Sequence, residues 1–143
     1  MLVKIKRIDA SIPAPKYHTN GSAAFDFCSR ETLTIAPHGL MRIPTGLIIA
    51  TPEGYVLVVS ARSSLAIKKG LMLANGIGLV DSDYCGPNDE ILISVYNLTN
   101  QEITIEKGDR LAQGMFLKVE RAQWEEVTAM EAADRGGFGS TDK

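Results

Sequence analysis

Short apolar runs, cut by Gly, Pro and Asn turn signals at intervals of roughly ten residues, constrain this chain more than any other feature. Leu33-Thr34-Ile35 ends at Pro37-His38-Gly39, and the aliphatic stretch from Leu40 to Ala50 is broken by Pro44 and Gly46. Proline has no N–H to give to a sheet ladder, so that stretch belongs at an edge or a bulge. Pro52-Glu53-Gly54 introduces the apolar run Tyr55 to Ala61, and Asn75-Gly76 predicts a tight hairpin leading to Asp81. From Glu90 to Asn97, Ile91, Ile93 and Val95 alternate with Leu92, Ser94 and Tyr96, the period of a strand buried on one face. Strands are also expected over Leu2 to Ile8, Ser22 to Cys28, Ile103 to Ile105 and Arg110 to Val119, with Trp124 to Val127 as one more. A single stretch, Arg62 to Gly70, reads as a helix. Ser63 or Ser64 can cap it, Lys68 and Lys69 close its last turn, and Gly70 follows its end. The expected fold is all-β: a sandwich, jelly roll or small barrel of short strands with one short helix.

The chain has 143 residues, 45% of them hydrophobic, enough for one domain with a sizeable core. Neither a repeat nor a break in composition marks a second domain. Its formal net charge is -2, which gives no general attraction to a polyanion and argues against a nucleic-acid-coating role. A local basic pocket for a small phosphate compound is compatible with that charge. Cys28 and Cys85 form no CxxC pair, and His18 and His38 lack metal-ligand spacing, so no disulfide framework or zinc site is indicated. The apolar runs are far too short to cross a membrane. A soluble, cytoplasmic protein is expected.

Chemistry concentrates in a few places. Gly78-Leu79-Val80-Asp81-Ser82-Asp83-Tyr84 interrupts apolar sequence with two carboxylates. In an extended chain Asp81 and Asp83 project to the same face, whereas a turn at Ser82 lets them diverge. Acidic residues are depleted inside strands, and local rules broken in this way point to functional sites. Arg62-Ser63-Ser64 sets a guanidinium and two hydroxyls beside a helix start, a ready anion site, although the tripeptide alone reads as an ordinary capped helix. Gly108-Asp109-Arg110-Leu111-Ala112-Gln113 adds an arginine and an amide, and alone is a turn entering a strand. In Arg135-Gly136-Gly137-Phe138-Gly139-Ser140-Thr141 the glycine backbone could wrap phosphates, and Phe138 has no local packing partner. Taken alone, that run is a mobile terminus. Asp26 is a further carboxylate on a short strand.

Together and in order, these segments resemble the trimeric deoxyuridine triphosphate nucleotidohydrolases (dUTPases). The resemblance rests on five motifs spread over nearly the whole chain: Ala23-Ala24-Phe25-Asp26-Phe27, Ala61 to Ala66, Asn75 to Tyr84, Gly108 to Gln113, and Arg135 to Thr141. Three departures stand out. Ala61 replaces a usual proline, Cys85 stands where Arg or Gln is common, and Pro87-Asn88-Asp89 resembles a small insertion after Gly86.

The resemblance implies a homotrimeric, distorted jelly-roll or β-clip domain over residues 1–128, and a flexible C-terminal arm over 129–143 carrying the fifth motif. It also implies hydrolysis of dUTP to dUMP and pyrophosphate. Asp81 would activate a water that attacks the α-phosphorus, and Tyr84 would pack on the deoxyribose and exclude a ribose. Asn75 and Gly78 would frame the uracil. Arg62, Ser63, Ser64 and Gln113 would hold phosphates, with Arg135, Phe138, Gly139 and Ser140 closing over the nucleotide. Mg²⁺ would be held by the substrate phosphates and water, with Asp26 supporting it indirectly and no side chain ligating it. In such a trimer each site draws the second and fourth motifs, the third motif and the arm from three different chains. Two alternatives share the pattern: a dCTP deaminase, alone or as a bifunctional deaminase/dUTPase, and a non-catalytic nucleotide-binding trimer. The deaminase uses a glutamate on the strand after the third motif, where Ser94 stands here.

Overall fold

Alternation in the sequence becomes sidedness in the sheets. The computed structural model describes residues 1–137, and within them the chain forms eleven strands and one helix. In order these are β1 (Lys4–Arg7), β2 (Phe25–Cys28), β3 (Leu33–Ile35), β4 (Leu40–Pro44), β5 (Leu47–Ala50), β6 (Tyr55–Ala61), α1 (Leu65–Lys69), β7 (Leu71–Leu73), β8 (Gly78–Val80), β9 (Leu92–Asn97), β10 (Ile103–Ile105) and β11 (Arg110–Lys118). All pairings are antiparallel. A four-stranded sheet runs β2-β11-β6-β8 and a three-stranded one runs β4-β9-β7, while β1 pairs with β5 and β3 with β10.

The core lies between these sheets. Ile91, Ile93 and Val95 are buried as their alternation requires, against Ile43, Leu57, Leu71 and Phe27. Packing is tight enough to dictate a glycine: a Cβ on Gly114, mid-β11, would lie 2.7 Å from the Phe27 ring and 2.9 Å from that of Phe25. Pro44 closes β4, which pairs only with β9, so the proline sits at a sheet edge. Gly46 then takes a left-handed φ of 72° and turns the chain into β5 and a different sheet. Gly70 likewise ends α1 with φ 63°, its N–H returning to the Ala66 carbonyl.

Three expectations need correction. Asn75-Gly76 does form a tight turn, with Gly76 at φ 71°, but no hairpin follows: β7 pairs with β9 while β8 pairs with β6. The turn carries the chain from one sheet to the other, placing β7 beside β9 and β8 beside β6. The helix begins at Leu65, and Ser64 at its N-cap makes no side-chain capping bond. Trp124 to Val127 forms no strand, and Trp124 is 94% exposed. Phe138 and the residues after it lie outside the described part of the chain.

One buried polar residue ties the loops at one end of the sheets together. Asn97 is fully buried, and its amide nitrogen donates to the carbonyls of Ile35, Ala36 and Gln101 at 3.2, 3.0 and 2.7 Å. Its oxygen accepts the Thr99 N–H and hydroxyl, both at 2.8 Å. A similarly sized apolar side chain would strand these partners. Asn97→Leu is expected to lower stability by about 3 kcal/mol, read from the urea midpoint at fixed protein concentration. An unchanged midpoint would show that the network contributes nothing.

Candidate active site

The sheet order assembles the first cluster. β11 lies between β2 and β6, so Gln113 stands opposite both Asp26 and Ser60, and Arg62 follows the end of β6. The Asp26 side chain, 13% exposed, accepts from Arg62 Nε at 2.9 Å and from Arg110 Nη1 at 3.1 Å. His18 Nε2 lies 3.3 Å from the same carboxylate. Two guanidiniums on one carboxylate leave a surplus positive charge, which an anion can share. Gln113 donates its amide to the Ala61 carbonyl at 3.3 Å, which sets the side chain beside the Arg62 turn. A cavity of about 290 Å³ opens here, lined by Arg62, Ser64, Lys68, Lys69, Asp109 and Arg110. Burial would raise the Asp109 carboxyl, but Lys69 at 2.6 Å and the Glu106 N–H hold it below the ordinary carboxylate range. Asp109 therefore stays charged and occupied by Lys69. Burial pushes the Cys28 thiol up, helped by the nearby Asp26 charge, so it is no nucleophile at neutral pH.

The second cluster forms where β8 and β9 face each other across the sheet-to-sheet turn. A cleft of about 340 Å³ is lined by Asn75, Gly78, Asp81, Tyr84, Ser94 and Arg42, among others. After Val80 the chain turns: the Tyr84 N–H donates to the Asp81 carbonyl at 3.3 Å and the Cys85 N–H to that of Asp83 at 3.0 Å. The turn at Ser82 thus separates the two carboxylates, and Asp81 is the one lining the cleft. Gly78 is held close to β6, where a Cβ would lie 3.3 Å from that of Val59.

Tyr84 is positioned by residues the sequence reading did not single out. Its hydroxyl donates to the Glu90 carbonyl at 3.1 Å, and the Glu90 carboxylate accepts from Arg30 Nε at 2.8 Å and from the Gly46 N–H at 2.7 Å. The connection Pro87-Asn88-Asp89 is closed on itself, with Asp89 accepting the Gly86 N–H at 2.7 Å, and Lys6 reaches the Pro87 carbonyl at 3.3 Å. It lies beside the cleft without displacing Asp81 from it. Arg42 was also missed, because only the pairing of β4 with β9 carries it to the cleft.

Within one chain the two clusters do not meet. Gly78 lies opposite Val59 and Val80 opposite Leu57, so the chain runs away from Arg62 as it approaches Asp81. At about 3.3 Å per residue, the backbone from Leu57, opposite Val80, to Arg62 spans about 17 Å, and Asp81 lies one residue beyond. Arg135 is exposed, and Phe138, Gly139 and Ser140 lie outside the described residues.

The comparisons agree on one family. The dUTPase family model matches residues 10–142. The chain is 43% identical to the deoxyuridine 5'-triphosphate nucleotidohydrolase of Dictyoglomus turgidum over 97% of both chains. It is also 43% identical to that of Finegoldia magna, over 97% of this chain and 99% of the other. Among solved structures, the dUTPase of Streptococcus mutans superposes with a TM-score of 0.76 at 30% identity, covering 84% of this chain and 98% of that one. The Staphylococcus bacteriophage 80alpha dUTPase with dUPNHPP shares the fold at a TM-score of 0.86 and 22% identity, over 97% of each chain. With its motifs in order along an all-β fold and full-length relatives of this identity, the chain belongs to the dUTPase family.

Proposed function

We propose that this protein hydrolyses dUTP to dUMP and pyrophosphate, with Asp81 as the base. The observation that carries the residue roles is the cleft itself, which Asp81, Tyr84, Asn75 and Gly78 all line, with Gly78 at the start of β8 and Asp81 just past its end. A deoxynucleoside laid along it has its base in the turn, its sugar against Tyr84 and its α-phosphate near Asp81. Asp81 takes a proton from water while the oxygen attacks the α-phosphorus in line. The bond to the bridging oxygen breaks and pyrophosphate leaves. Tyr84, fixed through Glu90, fills the space that a 2'-hydroxyl would need. Backbone groups around Asn75 and Gly78 would read uracil, where an unpaired buried polar group costs about 1–3 kcal/mol.

Arg62, Ser63, Ser64 and Gln113 hold the phosphates on this reading, and the charge surplus around Asp26 supports it. Mg²⁺ would neutralise charge on the triphosphate and orient its oxygens. Asp26 already has both oxygens engaged by arginines, so it would reach that ion only through water.

With about 17 Å of backbone between the Val80 row and Arg62, the Arg62 cluster and Asp81 of one chain are poorly placed to grip the same phosphates. We therefore read the working unit as a homotrimer of jelly-roll domains (residues 1–128), each site joining clusters from different chains. The arm (129–143) would cross to a third chain and bring Arg135, Phe138, Gly139 and Ser140 over the nucleotide. Exposed Trp124 and Met130 fit a segment whose partner is another chain. No described helix is long and apolar enough to cross a membrane, and a cytoplasmic setting with no nucleic-acid partner suits a nucleotide hydrolase.

The deaminase alternative is disfavoured because β9, from Leu92 to Asn97, carries no acid and presents Ser94 to the cleft. Assaying pyrophosphate release from dUTP, dCTP, dTTP and UTP side by side tests the proposal against both alternatives. Release from dUTP alone is expected; no release from any of them would overturn the hydrolase reading, and ammonia release from dCTP would then separate a deaminase from a non-catalytic binder. Two variants test the roles. Asp81→Asn keeps the shape but accepts no proton, so kcat should fall by about 10²–10⁴-fold while dUTP still binds. Near-normal turnover would remove Asp81 from its role. Tyr84→Ala opens the space beside C2', and the UTP-to-dUTP ratio of kcat/KM should rise. An unchanged ratio would place sugar discrimination elsewhere.

A further inference from the structure

Arg42 is a charged side chain in the cleft that the mechanism above does not use. It stands on β4 directly opposite Ser94 of β9, and directly opposed residues on antiparallel strands project to the same face. Arg42 and Ser94 both line the 340 Å³ cleft. No carboxylate among the described residues forms an ion pair with Arg42. An unneutralised guanidinium at a binding cleft is available to a ligand.

Its place along the cleft decides which part of the ligand it meets. The Ser94 carbonyl accepts the N–H of Ala74, the residue before Asn75, so the Arg42 row lies at the turn end. The sugar end is four residues back along the chain, where Tyr84 donates to the Glu90 carbonyl. Arg42 is thus at the base end and away from the phosphates. A pyrimidine joined to its sugar at N1 places its C2 carbonyl next to that bond and its C4 substituent across the ring. The group farthest from Tyr84 is therefore the C4 substituent.

We propose that Arg42 is a specificity-determining residue that donates to the C4 carbonyl of uracil. Guanidinium only donates. It matches the acceptor of a 4-oxo pyrimidine and opposes the amino donor of cytosine, adding a side-chain term to discrimination otherwise left to backbone. This inference rests on the nucleotide orientation given under the proposed function. Orientation and contact can fail separately in the test.

The test compares wild type, Arg42→Met and Arg42→Lys. Calorimetric affinities are measured for dUMP, dCMP and 2'-deoxyuridine, alongside kcat/KM for dUTP. Arg42→Met should weaken dUMP and 2'-deoxyuridine alike, by about tenfold to a hundredfold, and leave dCMP unchanged or slightly tighter. kcat/KM for dUTP should fall in step. Arg42→Lys keeps a donor and a stem and should recover part of the selectivity at an unchanged melting temperature. Equal weakening of dUMP and dCMP, or no weakening, would overturn the proposal. Weakening of dUMP without 2'-deoxyuridine would mean that Arg42 meets phosphate and that the nucleotide lies the other way round. A wild type that binds these ligands but releases no pyrophosphate from dUTP would sink the hydrolase reading while leaving the base contact standing.

Discussion

The register of β8 on β6 governs how this protein can work. β6 carries Arg62 at its exit and holds β8 along its middle, from Leu57 to Val59, so the same strand places both the Asp26 cluster and the cleft. Antiparallel pairing then fixes their separation. Shifting β8 by one residue would turn Leu79 and Val80 to opposite faces and take Gly78 away from Val59, where there is little room for a side chain. Core packing therefore enforces the register, and the register keeps Asp81 and Arg62 apart. The proposed homotrimer would bring them together around one triphosphate.

Each cluster is held by a different kind of force. The Asp26 cluster is electrostatic: Arg62 and Arg110 converge on one shielded carboxylate and keep charge in reserve for an anion. The cleft is held by shape and hydrogen bonding. Arg30 and Gly46 fix Glu90, Glu90 fixes the Tyr84 hydroxyl, and Ile91 and Ile93 bury the strand behind them. A rigid cleft suits the discrimination by exclusion proposed for Tyr84.

Much of this was legible in the sequence because the chemistry comes in contiguous pieces. Asp81, Tyr84, Arg62 and the serines beside it lie in short segments whose residues stay neighbours in the fold, and the strands from Tyr55 to Ala61 and from Leu92 to Asn97 follow their apolar periods. Long-range pairing was not legible. Asn75-Gly76 signals a turn in either of two topologies, and only the core decides that its flanks join different sheets. Arg42 and Glu90 matter through partners about fifty residues and sixty residues away, which no local pattern reports. Trp124 to Val127 joins no sheet, and Trp124 stays exposed.

The central claim is that catalysis joins Asp81 of one chain to Arg62 of another. Two inactive variants, Asp81→Asn and Arg62→Ala, carrying different affinity tags, can be refolded together and the doubly tagged trimers isolated. If the clusters come from different chains, some sites in those trimers pair an intact Asp81 with an intact Arg62. One of the three sites in each mixed trimer does so, and activity should return to about a third of wild type. Doubly tagged trimers as inactive as their parents would show that each chain completes its own site, and would contradict the account.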